Sequence, residues 1–171
     1  KMSMPQPSAC HKRATKALVA LGSNMESRFG SAHETVRRAL ETLPEDLGVI
    51  RAKSRIYRTP AFPAGTGPDY ANAAISLMTS LSPQDLLNRL HDIEALYGRA
   101  RTERWGQRTL DLDLLSHGDE ILPNPITWGT WADLSSDQQR IRAPDELILP
   151  HPRLHERGFV LVPLAEIEGG W

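Results

Sequence analysis

The chain has 171 residues, a formal net charge of −1 and 24% charged side chains, the size and balance of one globular domain with its own core. Near-neutrality excludes a global field drawing the chain to nucleic acid or anionic lipid, and no apolar run approaches the roughly 20 residues of a membrane-spanning helix. Cys10 is the only cysteine, which excludes an internal disulfide; nothing requires an oxidising compartment, and a cytoplasmic location is expected.

Residues 1–15 are polar and mixed, without a signal-peptide apolar core, and read as a disordered extension or cloning remnant before a single domain over 16–171. Ala17 to Leu21 is a short apolar run ended by Gly22-Ser23-Asn24, a buried strand entering a turn. Ser31 with Glu34 three residues on predicts a capping box. Val36, Leu40 and Leu43 then keep a helical period until Pro44. Val49 to Tyr57 alternates and suits a strand; Thr59 to Pro68 is dense in Pro and Gly and predicts a loop; Tyr70 to Met78 predicts a second strand paired with the first. Ser82-Pro83-Gln84-Asp85 is a helix start, Leu86, Leu90, Ile93 and Tyr97 share one face, and Gly98 closes the helix. Thr109 to Leu115 alternates strictly as a strand. This order predicts an α+β fold, a ferredoxin-like βαββαβ sandwich whose two helices pack on one face of an antiparallel sheet. Residues 118–146 are less regular and carry Trp128 and Trp131, and the stretch from Pro150 holds a polar cluster, His151 to Arg157, before an apolar end.

The sharpest chemical feature is Arg108-Thr109-Leu110-Asp111-Leu112-Asp113-Leu114-Leu115. On a strand, Asp111 and Asp113 share one face about 7 Å apart, with the leucines on the other. Two such carboxylates repel, and a hard cation such as Mg²⁺ relieves the repulsion; the same pair also fits the solvated face of a half-exposed strand. Arg99, Arg101, Arg104 and Arg108 lie just before them. Guanidinium forks beside a metal pair are the parts of a phosphate site, and they are also the parts of an exposed loop of surface ion pairs. Trp105, within that run, can cover a planar ligand or fold back onto the sheet. Tyr70 and Asn72 share a strand face and offer a flat wall and an amide edge, or an ordinary strand tip. The histidines His11, His33, His91, His117 and His155 show no zinc spacing with cysteine, and neither G-x-x-x-x-G-K-[ST] nor G-x-G-x-x-G occurs.

Taken together, Leu21-Gly22-Ser23-Asn24, Tyr57-Arg58-Thr59-Pro60, Asp69-Tyr70-Ala71-Asn72-Ala73, Gly98-Arg99-Ala100-Arg101, Arg104-Trp105-Gly106-Gln107-Arg108-Thr109-Leu110-Asp111-Leu112-Asp113 and Pro150-His151-Pro152-Arg153 through Arg157-Gly158-Phe159 resemble the 6-hydroxymethyl-7,8-dihydropterin pyrophosphokinase family in type, order and spacing. The resemblance implies transfer of pyrophosphate from ATP to the pterin hydroxymethyl group in folate biosynthesis, releasing AMP. It implies two Mg²⁺ ions on Asp111 and Asp113, with Arg99 and Arg108 as further catalytic residues. It implies ATP contacts from His91, Glu94, Arg99, Arg101 and Arg104, and from Trp105, Arg108, His151 and Arg157. It implies pterin contacts from Gly22, Thr59, Pro60 and Phe62, and from Tyr70, Asn72, Trp105 and Phe159. The partners implied are these small molecules alone, with no nucleic acid, no membrane and a monomeric chain. The stretch from about Pro123 to Asp145 looks longer than the family's, and the chain before Lys16 has no counterpart in it.

Two other classes remain open at this point. A ferredoxin-like sheet with Arg and aromatics can be a non-catalytic nucleotide- or RNA-binding module, although net charge is near zero and no RNP-type aromatic run occurs. Trp128 and Trp131 could also form a docking patch.

Overall fold

The computed structural model of the protein describes residues 13–61, 65, 67–98, 109–135, 137–138, 144, 146–154 and 158–168. Strands β1 (Thr15–Ser23), β2 (Val49–Lys53), β3 (Tyr57–Thr59), β4 (Tyr70–Thr79) and β5 (Asp111–His117) form one antiparallel sheet in the order β2-β4-β1-β5, with β3 also on β4. Helices α1 (Ala32–Glu41), α2 (Pro83–Leu96), α3 (Pro125–Ala132) and α4 (Gly158–Ile167) complete the α+β architecture of the described residues.

Strand alternation divides the core into two layers. Ala17, Val19 and Leu21 of β1, Ala71, Ala73, Ile75 and Leu77 of β4, and Leu112 and Leu114 of β5 face α1 and α2. Leu18, Ala20, Ala74 and Leu115 point the other way, against Leu154 and the α4 residues Val160 and Leu164. The two periodic helices thus share one face, as their patterns predict. Ser31 and Glu34 exchange both bonds of the capping box, and Ser82 caps α2 by accepting from the Asp85 N–H. Leu86, Leu90, Ile93 and Tyr97 are all buried.

The expected single strand Val49–Tyr57 is instead two. The register on β4 slips at Arg51 and again between β2 and β3. Ser54 causes the second break: its N–H donates to the Ala74 carbonyl at 2.9 Å and its hydroxyl accepts from the Ala74 N–H at 2.9 Å. The side chain takes the place of a backbone carbonyl and the chain bends.

Two helices have no counterpart in the sequence reading. Helix α3 starts where Asn124 Oδ1 accepts from the Thr127 N–H, with Pro125 in the first turn. Its Trp128 indole N–H donates to the Pro150 carbonyl at 2.7 Å. Helix α4 is apolar on most sides and contains Pro163, so its sequence shows no 3.6-residue stripe. No described helix is long and apolar enough to cross a membrane.

Candidate active site

The site begins with two small residues on the central strand. In the sheet register Gly22 faces Asn72 on one side and Asp111 on the other, and Ala20 faces Ala74 and Asp113. Residues directly opposite on neighbouring strands share a face. Asn72, Gly22 and Asp111 therefore form one row across the sheet, and Ala20 and Asp113 lie in the next. Because Gly and Ala fill so little of the middle, space remains beneath the first turn of α4.

That space is a cavity of about 350 Å³ lined by Ala20, Leu21, Gly22, Thr59, Pro60, Tyr70, Asn72, Asp111, Asp113, Phe159 and Val160. Its size suits a small heterocycle with part of a phosphate chain. Tyr70 comes from the sheet and Phe159 from α4, so the aromatic groups belong to two layers. Asn72 Nδ2 donates to Thr59 Oγ1 at 2.7 Å. Its Oδ1 lies 3.1 Å from where a Cβ on Gly22 would stand. A side chain at position 22 therefore presses on the amide and raises the cavity floor. On the placement of the pterin that the resemblance implies, Gly22→Ala is expected to weaken pterin binding by about fivefold or more, a cost of about 1–3 kcal/mol for overpacking, with ATP binding little changed. Titration of each ligand separately checks this.

Asp111 and Asp113 stand together at one end of the cavity, both half-buried, while Leu110, Leu112 and Leu114 are buried behind them. Glu94, expected by resemblance at the nucleotide, is buried under β5, where its Oε2 accepts the Leu112 N–H at 3.3 Å. Leu112 lies between the two aspartates on the sheet's outer strand, so this bond secures the strand edge that carries them. His91 is exposed on α2. His151 follows Pro150, with its N–H donating to the Leu115 carbonyl at 2.8 Å. Neither His91, Glu94 nor His151 lines the cavity. His117, at the far end of β5, is buried with Nε2 against the Leu81 carbonyl at 2.9 Å.

Phe62, Arg99, Arg101, Arg104, Trp105, Arg108 and Arg157 lie outside the described residues. The described residues on either side of 99–108 meet: Thr109 Oγ1 donates to the Tyr97 carbonyl, and Gly98 has φ +124° with Thr109 Oγ1 2.8 Å from an added Cβ. Glycine is required at that neck on both counts.

The sequence reading did not single out Ala20, Leu21 or Val160, nor the carboxylate of Glu166. The small residues Ala20 and Gly22, two apart on a strand, were the available signal for the first. Glu166 sits near the end of α4 and is held below the usual carboxylate range, chiefly by the Arg55 backbone N–H, then by the Tyr57 hydroxyl and the Arg55 guanidinium. The Arg55 guanidinium is raised in turn, mainly by its hydrogen bond to Glu166.

Known proteins resemble this chain over most of its length. The family model of 7,8-dihydro-6-hydroxymethylpterin-pyrophosphokinase (HPPK) matches residues 18–169. A 2-amino-4-hydroxy-6-hydroxymethyldihydropteridine pyrophosphokinase of Synechocystis is 39% identical over 166 residues, covering 96% of this chain and 70% of that protein. The protein of the same name from Haemophilus influenzae is 36% identical over 151 residues, covering 88% of this chain and 80% of its own length. Among solved structures, a triple mutant of Plasmodium falciparum HPPK-DHPS has a TM-score of 0.60 at 14% identity. It is covered over 92% of this chain but only 41% of its own, so this chain spans less than half of that protein and the likeness speaks for the fold. With a family match over nearly the whole length and close relatives above one third identity, the chain belongs to the HPPK family.

Proposed function

We propose that this chain transfers the β,γ-pyrophosphoryl group of ATP to the hydroxymethyl oxygen of 6-hydroxymethyl-7,8-dihydropterin, with Mg²⁺, and releases AMP as a step of folate biosynthesis. The observation that carries the reading is a single cavity holding Tyr70, Asn72, Thr59 and Phe159 beside Asp111 and Asp113. The sheet order β2-β4-β1-β5, with α1 and α2 on one face, supports reading the path from β1 to β5 as ferredoxin-like.

A reduced pterin is flat, with hydrogen-bonding atoms along its edge. Tyr70 and Phe159 offer aromatic faces. Asn72, with its Nδ2 committed to Thr59 Oγ1, keeps its Oδ1 above Gly22 as an acceptor for a ring N–H or amino group. This orients the pterin so that its hydroxymethyl group points along the row toward Asp111.

The residues at that end fit Mg²⁺. They supply two hard carboxylates on one strand face. Mg²⁺ takes one or two carboxylates and fills its other positions with water and phosphate oxygens. Bound there, two such ions would neutralise charge on the triphosphate during transfer. Asp111 and Asp113 hold the site, and the Leu112 N–H bond to Glu94 keeps their strand in place. Arg99, Arg101, Arg104, Arg108, Trp105, Arg157, His91 and His151 are assigned to ATP by resemblance, and Phe62 to the pterin. In the transfer the hydroxymethyl oxygen forms a bond to the β-phosphorus. The bond from that phosphorus to the oxygen shared with the α-phosphorus breaks, AMP leaves with the bridging oxygen, and the hydroxyl proton is released.

The test is nucleotide release from ATP with and without the dihydropterin and Mg²⁺. AMP that requires both is the expected result. ADP in place of AMP, or release indifferent to the pterin, would overturn the proposal.

A further inference from the structure

The carboxylate of Glu166 gathers three donors from one short stretch of chain. Its Oε2 accepts from the Arg55 backbone N–H at 2.9 Å and from the Tyr57 hydroxyl at 2.8 Å, and its Oε1 accepts from Arg55 Nε at 2.9 Å. Arg55 precedes β3, Tyr57 begins it, and Thr59, which ends it, lines the cavity. Helix α4 packs on β3 and β4 and brings Phe159 and Val160 to the opposite wall. One side chain thus joins the two walls.

The spacing along α4 makes that joint consequential. Glu166 follows Phe159 by seven residues, two helical turns, so both lie on the same helix face about 10 Å apart. Holding one fixes the rotation and axial position of the other. Pro163, inside α4, has no N–H to donate to the Phe159 carbonyl four residues back, so the first turn lacks one internal bond. The ion pair alone would achieve little, since the Arg55 side chain is 79% exposed. The backbone N–H and the phenol are stiffer donors than the exposed guanidinium, because a main-chain group and a ring with few rotatable bonds lose less freedom on being held.

We propose that Glu166 is a positioning residue for the cavity: by tying the start of β3 to the end of α4 it sets the distance between Thr59 and Phe159 and hence the affinity for the pterin. The role rests on the pterin reading above. It assigns Glu166 no contact with substrate.

Five proteins test it: wild type, Glu166→Gln, Tyr57→Phe, the double variant of these two, and Glu168→Gln. Glu168 pairs with Lys16 at the start of β1 and serves as a control carboxylate beyond the same helix end. Glu166→Gln is expected to raise the dihydropterin Kd, measured with a non-hydrolysable ATP analogue present, by about tenfold, the loss of one charge-assisted interaction. Tyr57→Phe is expected to raise it about threefold and to add nothing in the Glu166→Gln background, because both act through one joint. The ATP-analogue Kd, kcat at saturating pterin and every constant of Glu168→Gln stay within about twofold. An unchanged pterin Kd in Glu166→Gln and Tyr57→Phe overturns the proposal, as does an equal fall in affinity for both ligands. Amide hydrogen exchange of the ligand-free proteins separates this role from the pterin reading. Faster exchange at both Thr59 and Phe159 in Glu166→Gln supports the joint whatever the ligand is. A wild type that binds no dihydropterin sinks the proposed function, and unchanged exchange at both residues sinks the joint.

Discussion

Asp111→Ala and Asp113→Ala are each expected to lower pterin-dependent AMP release by about a thousandfold or more, with the fold retained. Both carboxylates line the cavity rather than the core, and Leu110, Leu112 and Leu114 bury the opposite face of the strand in either variant. Removing one acid also relieves repulsion between neighbours about 7 Å apart, so thermal stability should hold or rise slightly. The rate effect is large because phosphoryl transfer relies on positioning and charge neutralisation more than on covalent chemistry from protein. Loss of a proposed metal ligand would remove several kcal/mol where each 1.4 kcal/mol is tenfold in rate. Steady-state kinetics beside a melting curve check both halves. Turnover within tenfold of wild type in both variants would remove these residues from the proposed mechanism.

A large effect on stability is expected at Leu90. It is fully buried on α2, packed in the layer between the helices and the sheet. Leu90→Ala removes three heavy atoms from a closely packed interior and leaves a cavity, which costs about 2–5 kcal/mol. For a chain of this size a loss of about 3 kcal/mol lowers Tm by roughly 6–12 °C. A urea titration measures the free energy and calorimetry the shift. The expected rate well below Tm is near wild type, since Leu90 does not line the cavity. A loss under about 1 kcal/mol would mean that this layer repacks far more freely than its burial indicates.

Much of the fold was legible because local signals agreed. The capping box at Ser31 and Glu34, the Ser82-Pro83 start and the face of Leu86, Leu90, Ile93 and Tyr97 each reflect bonds or periods confined to one helix, and each stands as read. The alternation from Thr109 to Leu115 put Asp111 and Asp113 on one face without reference to any partner strand, and both line the cavity, although the strand itself runs Asp111–His117. Less legible were the places where another layer decides. Ser54 breaks the run Val49–Tyr57 because its hydroxyl meets Ala74 on β4, a contact no local propensity reveals. Helix α4 shows no stripe because apolar contacts on the sheet, not amphipathicity, stabilise it. That the Glu94 carboxylate accepts the Leu112 N–H at the outer edge of β5 was also not legible, because the partner lies in another element.

The sequence by itself determined the order of the elements from β1 to β5 apart from the break at Ser54, the faces of the periodic helices and strands, and the acids and aromatics from which the family can be recognised. These follow from side-chain direction, which backbone geometry sets residue by residue. Only the tertiary structure decided that Asn72, Gly22 and Asp111 form one row, that Ala20 and Gly22 leave a hollow rather than a weak strand, and that Glu166 joins β3 to α4. Register between distant strands and the volume left between layers depend on what packs against what, and no local pattern in the chain encodes that alone.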